Sequence, residues 1–199
     1  LLRDPLSARA AAFRVLRHRI AQAGDPRTIL ITSANDGEGK TTCALNLALV
    51  LAESGRNRVL LVEANTQTPV LTVLLGFATP ACALDQITRH RTDPIRPWQV
   101  ARITSHALDV MAVQPGDEAR PPLHGPSLLA AITGLRSLYD YVVIDTSSVL
   151  TGLDVPLVEN ATDGIVLVAR ARRTRARHVN AALDQIGCAR ILGVALLDP

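Results

Sequence analysis

Two glycines and the only lysine of the chain stand close together in the stretch from Thr32 to Thr42. An apolar run, predicted as a strand, precedes this stretch, and an alanine- and leucine-rich helix, predicted from Cys43 to Glu53, follows it. Glycines at such a turn allow backbone N–H groups to face an anion, and the helix start adds its dipole. We therefore predict a phosphate cradle made of Asp36, Gly37, Glu38, Gly39, Lys40, Thr41 and Thr42.

Lys40 and Thr41 strengthen this prediction. All the other residues in the Lys+Arg count of 21 are arginines, so the chain keeps a compact ammonium group only at Lys40. Thr41 supplies a hydroxyl of the kind that binds Mg²⁺ in the P-loop pattern GxxxxGK[ST]. Ala34 replaces the first glycine of that pattern, and the alternative interpretation is a glycine turn that caps an ordinary helix. We interpret the stretch as a P-loop, the phosphate site of a nucleotide.

Two carboxylates end apolar strands further along the chain. Asp145 closes the run Tyr-Asp-Tyr-Val-Val-Ile-Asp, which is the Walker B arrangement, whose carboxylate holds Mg²⁺ directly or through water. Glu63 ends another apolar strand and is expected to point at the same site. Alternatively, Asp145 caps the following turn and Glu63 is an ordinary strand-end carboxylate. The predicted metal ligands are Thr41 and Asp145.

The order of the predicted elements places these residues together. Strands and helices alternate, which predicts an α/β fold with a doubly wound, mostly parallel sheet. Ligands of such sheets bind beyond the carboxyl ends of the strands, where the P-loop, Glu63 and Asp145 all fall. Residues 64–107 are predicted as irregular structure with short helices at 69–77 and 82–87, and residues 115–126 as a proline-rich loop. The predicted strands are 28–31, 58–63, 107–114, 139–145, 164–170 and 191–197, and the longer helices are 7–22, 43–53, 128–138, 154–160 and 175–186.

Length and composition narrow the class of protein. The 199 residues, 48% of them hydrophobic, suffice for one α/β domain over residues 1–199, with an N-terminal helix within 1–24. No apolar run approaches the ~20 residues that cross a bilayer. The chain starts with neither a methionine nor a signal-peptide pattern, so we expect a piece of a longer, membrane-associated protein.

Metal-binding and nucleic-acid-binding signals are weak. Cys43, Cys82 and Cys188 are far apart and lack CxxC spacing, so we interpret them as core residues in a reducing compartment. None of the five histidines pairs with Cys or Glu at ligand spacing, so no structural metal is expected. The formal charge of +3 permits an acidic partner without requiring one, and few aromatic residues are available to stack on bases. Nucleic acid is therefore not an expected partner.

The densest charge lies between Arg170 and Arg177, where five of the eight residues are arginine. Such a cluster contacts phosphates, anionic lipid headgroups or nucleic acid in many proteins. The equally good alternative is a solvated helix start in a chain that uses arginine everywhere.

Taken together, these motifs resemble the cytoplasmic kinase domain of bacterial tyrosine kinases (BY-kinases) of capsule and exopolysaccharide export, relatives of the MinD/ParA ATPases. The stretch Thr32 to Thr42 resembles that family's Walker A, which also lacks the first glycine. The run from Leu60 to Asn65 is similar to its Walker A′ strand, and Tyr139 to Thr146 to its Walker B. The resemblance implies a P-loop NTPase fold, ATP or ADP with Mg²⁺, and catalytic roles for Lys40, Asp145 and Glu63.

The same resemblance implies a location and a partner. Such domains lie at the cytoplasmic face of the bacterial inner membrane and act with a polysaccharide co-polymerase region of the same or a separate chain. The family's E-x2-R-x2-R motif, which forms rings, reads Ala11, Arg14 and Arg17 here. We therefore expect at most a weak homo-oligomer.

The departures from the family pattern bear on phosphotransfer. The Walker A′ aspartates are replaced by Glu63 and Asn65, and the following arginine by Gln67. The residues after Walker B are serines rather than prolines, and Leu197 replaces the usual Asn of the last strand. We expect a nucleotide-binding regulatory domain with weak or lost kinase activity. The alternatives are an active autophosphorylating tyrosine kinase and a MinD/ParA-type positioning ATPase, although Asn35 stands where the latter has its signature lysine.

Overall fold

A seven-stranded sheet forms the framework of the chain in the computed structural model, which describes residues 4–114, 125–152, 155–187 and 190–198. The strands are β1 (Thr28–Ser33), β2 (Val59–Glu63), β3 (Ala101–Ile103), β4 (Leu108–Met111), β5 (Tyr141–Asp145), β6 (Gly164–Arg170) and β7 (Ile191–Leu197). Their order in the sheet is β3-β4-β2-β5-β1-β6-β7, and among these described strands only the β3–β4 pair is antiparallel. The predicted α/β fold with a mostly parallel sheet is confirmed.

Helices cover both faces of this sheet. They are α1 (Ala8–Gln22), α2 (Lys40–Ala52), α3 (Leu71–Leu75), α4 (Ala83–His90), α5 (Gly125–Arg136), α6 (Val155–Val158) and α7 (Ala176–Ile186), with 3-10 turns at Thr104–His106 and Glu159–Ala161. Residue 154 of the predicted helix 154–160 and residues 115–124 of the predicted loop lie outside the described residues. Among the residues that are described, no helix combines the length and apolarity needed to cross a membrane.

The sheet separates two apolar cores. Along β1, Ile29 and Ile31 face the core that α1 and α2 cover, whereas Leu30 faces the core that α4, α5 and α7 cover. All six residues of β1 are buried, as the continuous apolar run predicts for a strand of a parallel sheet covered on both sides. Because the side chains of a strand alternate between faces, β1 contributes residues to both cores. Its packing against α2 positions the carboxyl end of the strand relative to that helix.

Residues 64–107 contain one strand that the sequence analysis did not predict. The two short helices expected there are present as α3 and α4. β3 pairs antiparallel with β4, and Arg102 lies opposite Asp109, with Arg102 Nε 2.7 Å from Asp109 Oδ1. Ala-Arg-Ile alternates, but three residues are too few for alternation to identify a strand, so only its long-range pairing does.

Helix α1 packs on α2 through apolar residues, and charged contacts add to this packing. Ser7 caps it as predicted, with the Ala10 N–H donating to Ser7 Oγ. Arg14 forms a bidentate ion pair with Glu53 at the end of α2, and Arg17 Nη1 lies 3.5 Å from Glu53 Oε2. The two arginines of the ring-forming motif are therefore bound within the chain itself.

Both tyrosines of the chain form hydrogen bonds near the amino-terminal end of β5, whereas the P-loop follows the carboxyl end of β1. Tyr141 donates its hydroxyl to Asp25 Oδ1 at 2.7 Å, and the Arg27 guanidinium lies 4.8 Å from the Tyr141 ring centre. Tyr139 donates its hydroxyl to Asp109 Oδ2 at 3.0 Å. Burial, reinforced by the neighbouring carboxylate, raises the pKa of each phenol.

Candidate nucleotide site

The backbone between β1 and α2 has the conformation that the glycine pattern predicts. Gly37 has φ of 73° and Gly39 has φ of 97°, which is the left-handed region that side chains disfavour. A Cβ at Gly39 would also lie 2.7 Å from Leu197 Cδ1. Ala34, which replaces the first glycine of the motif, is completely buried, and its carbonyl accepts the Leu150 N–H at 3.2 Å. The loop therefore requires glycine at two positions and accommodates alanine at the third.

Lys40 begins α2 and is held inside the loop. Its side chain is only 7% exposed, and its Nζ lies 3.2 Å from Asp36 Oδ1. Asp36 also accepts hydrogen bonds from the hydroxyls of Ser148 and Thr151, at 2.8 and 2.9 Å. Partial burial opposes ionisation of Asp36, but the hydrogen bonds from Ser148, Thr151 and Lys40 hold the pKa of its carboxyl below the ordinary value. The Nζ atom of Lys40 is thus positioned by one mostly exposed carboxylate, that of Asp36.

Thr41 and Asp145, the two predicted metal ligands, are in direct contact. The Thr41 hydroxyl donates to Asp145 Oδ2 at 2.6 Å. Asp145 Oδ1 is buried and makes no hydrogen bond within the described part of the chain. Burial raises the pKa of Asp145 to about 7, with a further contribution from the negative charge of Glu63 and partial relief from Thr41 and Lys40. Thr42, in the next position of α2, is exposed.

These residues fit a Mg²⁺–nucleotide complex. A buried carboxylate oxygen without a partner is costly unless a proton or a cation occupies it. Mg²⁺ in nucleotide sites takes one or two carboxylates, a hydroxyl and phosphate oxygens, rather than a cage made only of protein ligands. Within the described residues, no cluster of three or more His, Cys, Asp or Glu side chains is arranged to hold a metal. Thr41 and Asp145 would therefore hold the ion together with the phosphates, not alone.

Glu63 lies next to Asp145 in the sheet but makes contacts of a different kind. The two residues are register partners on β2 and β5. Glu63 Oε1 accepts the N–H groups of Val70 and Leu71 at 2.6 and 2.9 Å, and Oε2 accepts that of Val113 at 2.9 Å. Burial raises the pKa of Glu63, and these three N–H donors counteract part of the rise. Both oxygens are engaged with backbone at the start of α3 and after β4, so a catalytic role for Glu63 stays a prediction.

Asn65 closes a local turn. Its Oδ1 accepts the Thr68 N–H at 3.2 Å, and its Nδ2 donates to the carbonyl and hydroxyl oxygens of Thr68, both at 3.1 Å. This is an Asx-type turn, in which the side-chain amide substitutes for backbone contacts. Gln67, inside the turn, is exposed. Asn65, which replaces the second aspartate of the Walker A′ pattern, thus stabilises the loop that follows β2.

A side-chain network that the sequence analysis did not foresee holds the P-loop. Glu38 is only 3% exposed, and its Oε2 accepts the Asn35 N–H at 3.1 Å. Its Oε1 accepts both Asn35 Nδ2, at 3.0 Å, and the Thr174 hydroxyl, at 2.7 Å. Asn35 Nδ2 also lies 3.1 Å from His178 Nδ1. Glu38 therefore acts as a bridge from the loop to the segment after β6, and no local pattern reveals contacts over such a separation.

The chain also matches known protein sequences. The profile of the family CbiA, the CobQ/CobB/MinD/ParA nucleotide binding domain, matches residues 29–195. Tyrosine-protein kinase YwqD of Bacillus subtilis is 30% identical over 181 residues, which cover 86% of this chain and 72% of that protein. The succinoglycan biosynthesis transport protein ExoP of Rhizobium meliloti is 28% identical over 96% of this chain, but only 25% of ExoP is covered.

Solved structures show the same fold. The kinase domain of the Escherichia coli tyrosine kinase ETK superposes with a TM-score of 0.78 at 22% identity, covering 98% of this chain and 77% of that one. MinD of Pyrococcus horikoshii, in complex with Mg-ADP, superposes with a TM-score of 0.67 at 23% identity, covering 85% and 69%. The chain therefore belongs to the CobQ/CobB/MinD/ParA nucleotide-binding domain family, in the branch of the bacterial tyrosine kinases.

Proposed function

We propose that this domain binds ATP or ADP with Mg²⁺ and regulates polysaccharide polymerisation and export, with weak or absent phosphotransfer. The observation that carries the proposal is the contact between Thr41 and Asp145 beside the buried ammonium group of Lys40. Gly37 and Gly39 supply backbone N–H groups to the phosphates, and Lys40 exchanges Asp36 for a phosphate oxygen. Mg²⁺, when bound, neutralises charge on the phosphates.

The weak phosphotransfer follows from what Glu63 and Asn65 do. In the resemblance to BY-kinases, these positions hold aspartates that help to position Mg²⁺ and to activate the attacking hydroxyl. Here Glu63 receives three backbone N–H groups and Asn65 is committed to Thr68. Asn65 is also a neutral amide, which cannot accept a proton near pH 7. Neither side chain is free to act on a substrate hydroxyl in this arrangement.

The names of the relatives support the cellular context. ExoP is a succinoglycan biosynthesis transport protein, and YwqD is a tyrosine-protein kinase. By analogy, the domain acts at the cytoplasmic face of the bacterial inner membrane with a polysaccharide co-polymerase region, in the same chain or in another. The MinD relative, which is bound to Mg-ADP, supports the choice of cofactor.

Calorimetry with Mg-ADP tests the nucleotide site. The wild-type domain should bind, and Lys40→Ala should abolish binding or weaken it by more than about tenfold, because a buried charge-assisted contact is lost. Arg56→Ala, an exposed substitution that also removes one positive charge, is the matched control and should bind like the wild type. Equal affinities of the wild type and Lys40→Ala, with both proteins folded, would contradict the assignment.

The second candidate function is an active tyrosine kinase, which the complete cradle around Lys40 favours. The discriminating assay incubates the domain with labelled ATP and a tyrosine-containing acceptor peptide. We expect little or no phosphotyrosine. Robust labelling that Lys40→Met abolishes would establish the active kinase and refute the proposed loss of phosphotransfer.

A further inference from the structure

The turn after β6, which we call the arginine turn (residues 170–175), has a defined conformation. The N–H groups of Arg173 and Thr174 donate to the Arg170 carbonyl at 3.2 and 2.9 Å. Arg172 has φ of 62°, which is unusual for a residue with a side chain, and its guanidinium is paired with Asp198. The backbone of the turn is therefore folded and hydrogen-bonded, not an extended linker.

Two side-chain contacts fasten the arginine turn to the P-loop. Thr174 Oγ1 accepts the Arg170 N–H at 2.8 Å and donates to Glu38 Oε1 at 2.7 Å. One helical turn later, His178 Nδ1 lies 3.1 Å from Asn35 Nδ2. Because Glu38 is almost completely buried, removal of the Thr174 hydroxyl would leave a buried carboxylate with fewer donors.

This attachment places the side chain of Arg173 beside the P-loop. Arg173 Nη2 lies 3.9 Å from the position that a Cβ on Gly37 would occupy. Within the described ranges, no carboxylate lies at ion-pair distance from the Arg173 guanidinium, in contrast to Arg172 and its partner Asp198. An exposed guanidinium next to an anion-binding loop, and without a carboxylate partner, is suited to bind an oxyanion.

We propose that Arg173 is a further contact for the phosphates of the bound nucleotide, and that Glu38 and Thr174 are positioning residues that hold it there. The inference rests on the proposed nucleotide site and assigns a role to one member of the arginine cluster. A planar guanidinium adds bidentate hydrogen bonds that Lys40, a point charge, does not offer. Arg177, an exposed arginine of the same cluster on α7, makes no side-chain hydrogen bond or ion pair within the described part of the chain.

Binding of Mg-ADP and Mg-ATP to charge-matched variants tests the role of Arg173. At low ionic strength, Arg173→Ala should weaken binding about tenfold, as expected for one charge-assisted contact, and Arg173→Lys should weaken it less. Arg177→Ala removes the same charge from the same cluster and should change the affinity less than about twofold. If Arg173→Ala and Arg177→Ala have the same nucleotide affinity while Lys40→Ala loses binding, the role of Arg173 is refuted and the nucleotide site is supported. If the wild type binds no nucleotide, both the proposed nucleotide site and the role of Arg173 are refuted.

The positioning role of Thr174 has its own readout, which does not depend on the ligand. Thr174→Val removes the hydroxyl at nearly constant volume, whereas Thr174→Ser keeps it. Amide hydrogen exchange of residues 35–39 in the nucleotide-free domain should accelerate in Thr174→Val and stay at the wild-type rate in Thr174→Ser. Mg-ADP affinity should follow the same order. Equal exchange rates in the two variants would refute the positioning role.

Discussion

Asp145→Asn is the substitution that tests the electrostatics of the site most directly. In the folded protein, burial raises the pKa of Asp145 from an ordinary value of 3.8 to about 7. The folded state therefore binds a proton more tightly than the unfolded state, and this group costs stability as the pH rises from about 4 to about 7. At 1.36 kcal/mol per pKa unit, the wild-type domain should lose roughly 2 to 3 kcal/mol between pH 5 and pH 8 from this residue. The amide side chain that the substitution introduces does not ionise, so the variant should lack that part of the pH dependence.

Urea denaturation of the nucleotide-free domain in EDTA, at pH 5, 6, 7 and 8, measures the effect. The difference in the free energy of unfolding between Asp145→Asn and the wild type should grow in favour of the variant as the pH rises. Asp184→Asn, an exposed substitution with the same charge change, should follow the wild type at every pH. With Mg²⁺ and ADP present, only the wild type and Asp184→Asn should gain substantial stability, because the metal requires the ionised carboxylate. A difference between Asp145→Asn and the wild type that stays constant from pH 5 to pH 8 would refute the reasoning.

Three further outcomes are expected. Light scattering should give the mass of a monomer or dimer at micromolar concentration, since Arg14 and Arg17 are bound to Glu53; a ring mass would contradict this. Glu63→Asp should lower the free energy of unfolding by about 1 to 3 kcal/mol in urea titrations, because the shorter side chain cannot reach all three N–H donors; an unchanged midpoint would show that the loops adapt. Burial raises the pKa of the Cys43 thiol to about 12. A thiol reagent, followed by peptide-resolved detection, should therefore modify Cys43 only in urea. Rapid labelling of the native protein would show that the core opens.

The sequence predicts the sheet and the glycine loop between β1 and α2 because both depend on local patterns. Continuous apolar runs identify the buried parallel strands, and the spacing of Gly37, Gly39 and Lys40 identifies the loop. The contact between Thr41 and Asp145 also follows, since both lie at the carboxyl edge of adjacent strands β1 and β5. The rule that ligands bind beyond the carboxyl ends of parallel strands is enough to predict this contact between residues distant in sequence.

The sequence did not predict the contacts that depend on the exact path of the loops. Glu63 lies beside Asp145 at the carboxyl edge of the sheet, but no local pattern reveals that its carboxylate accepts the N–H groups of Leu71 and Val113. Glu38 lies in the predicted cradle, and no local pattern reveals that its side chain accepts a hydrogen bond from the Thr174 hydroxyl. Such hydrogen bonds depend on how close two loops lie at the carboxyl ends of the strands. No periodicity in the sequence of either loop predicts that distance.

The placement of the two tyrosines has a consequence for measurements of phosphotransfer. Each phenol donates its hydroxyl to an aspartate, Tyr139 to Asp109 and Tyr141 to Asp25. A phosphate on either ring would bring about two negative charges against a carboxylate and would break the hydrogen bond, so both rings are poor acceptors. These are the only tyrosines among the 199 residues. The domain therefore contributes almost no background in an anti-phosphotyrosine immunoblot, and a band in such an assay reports on the added peptide alone.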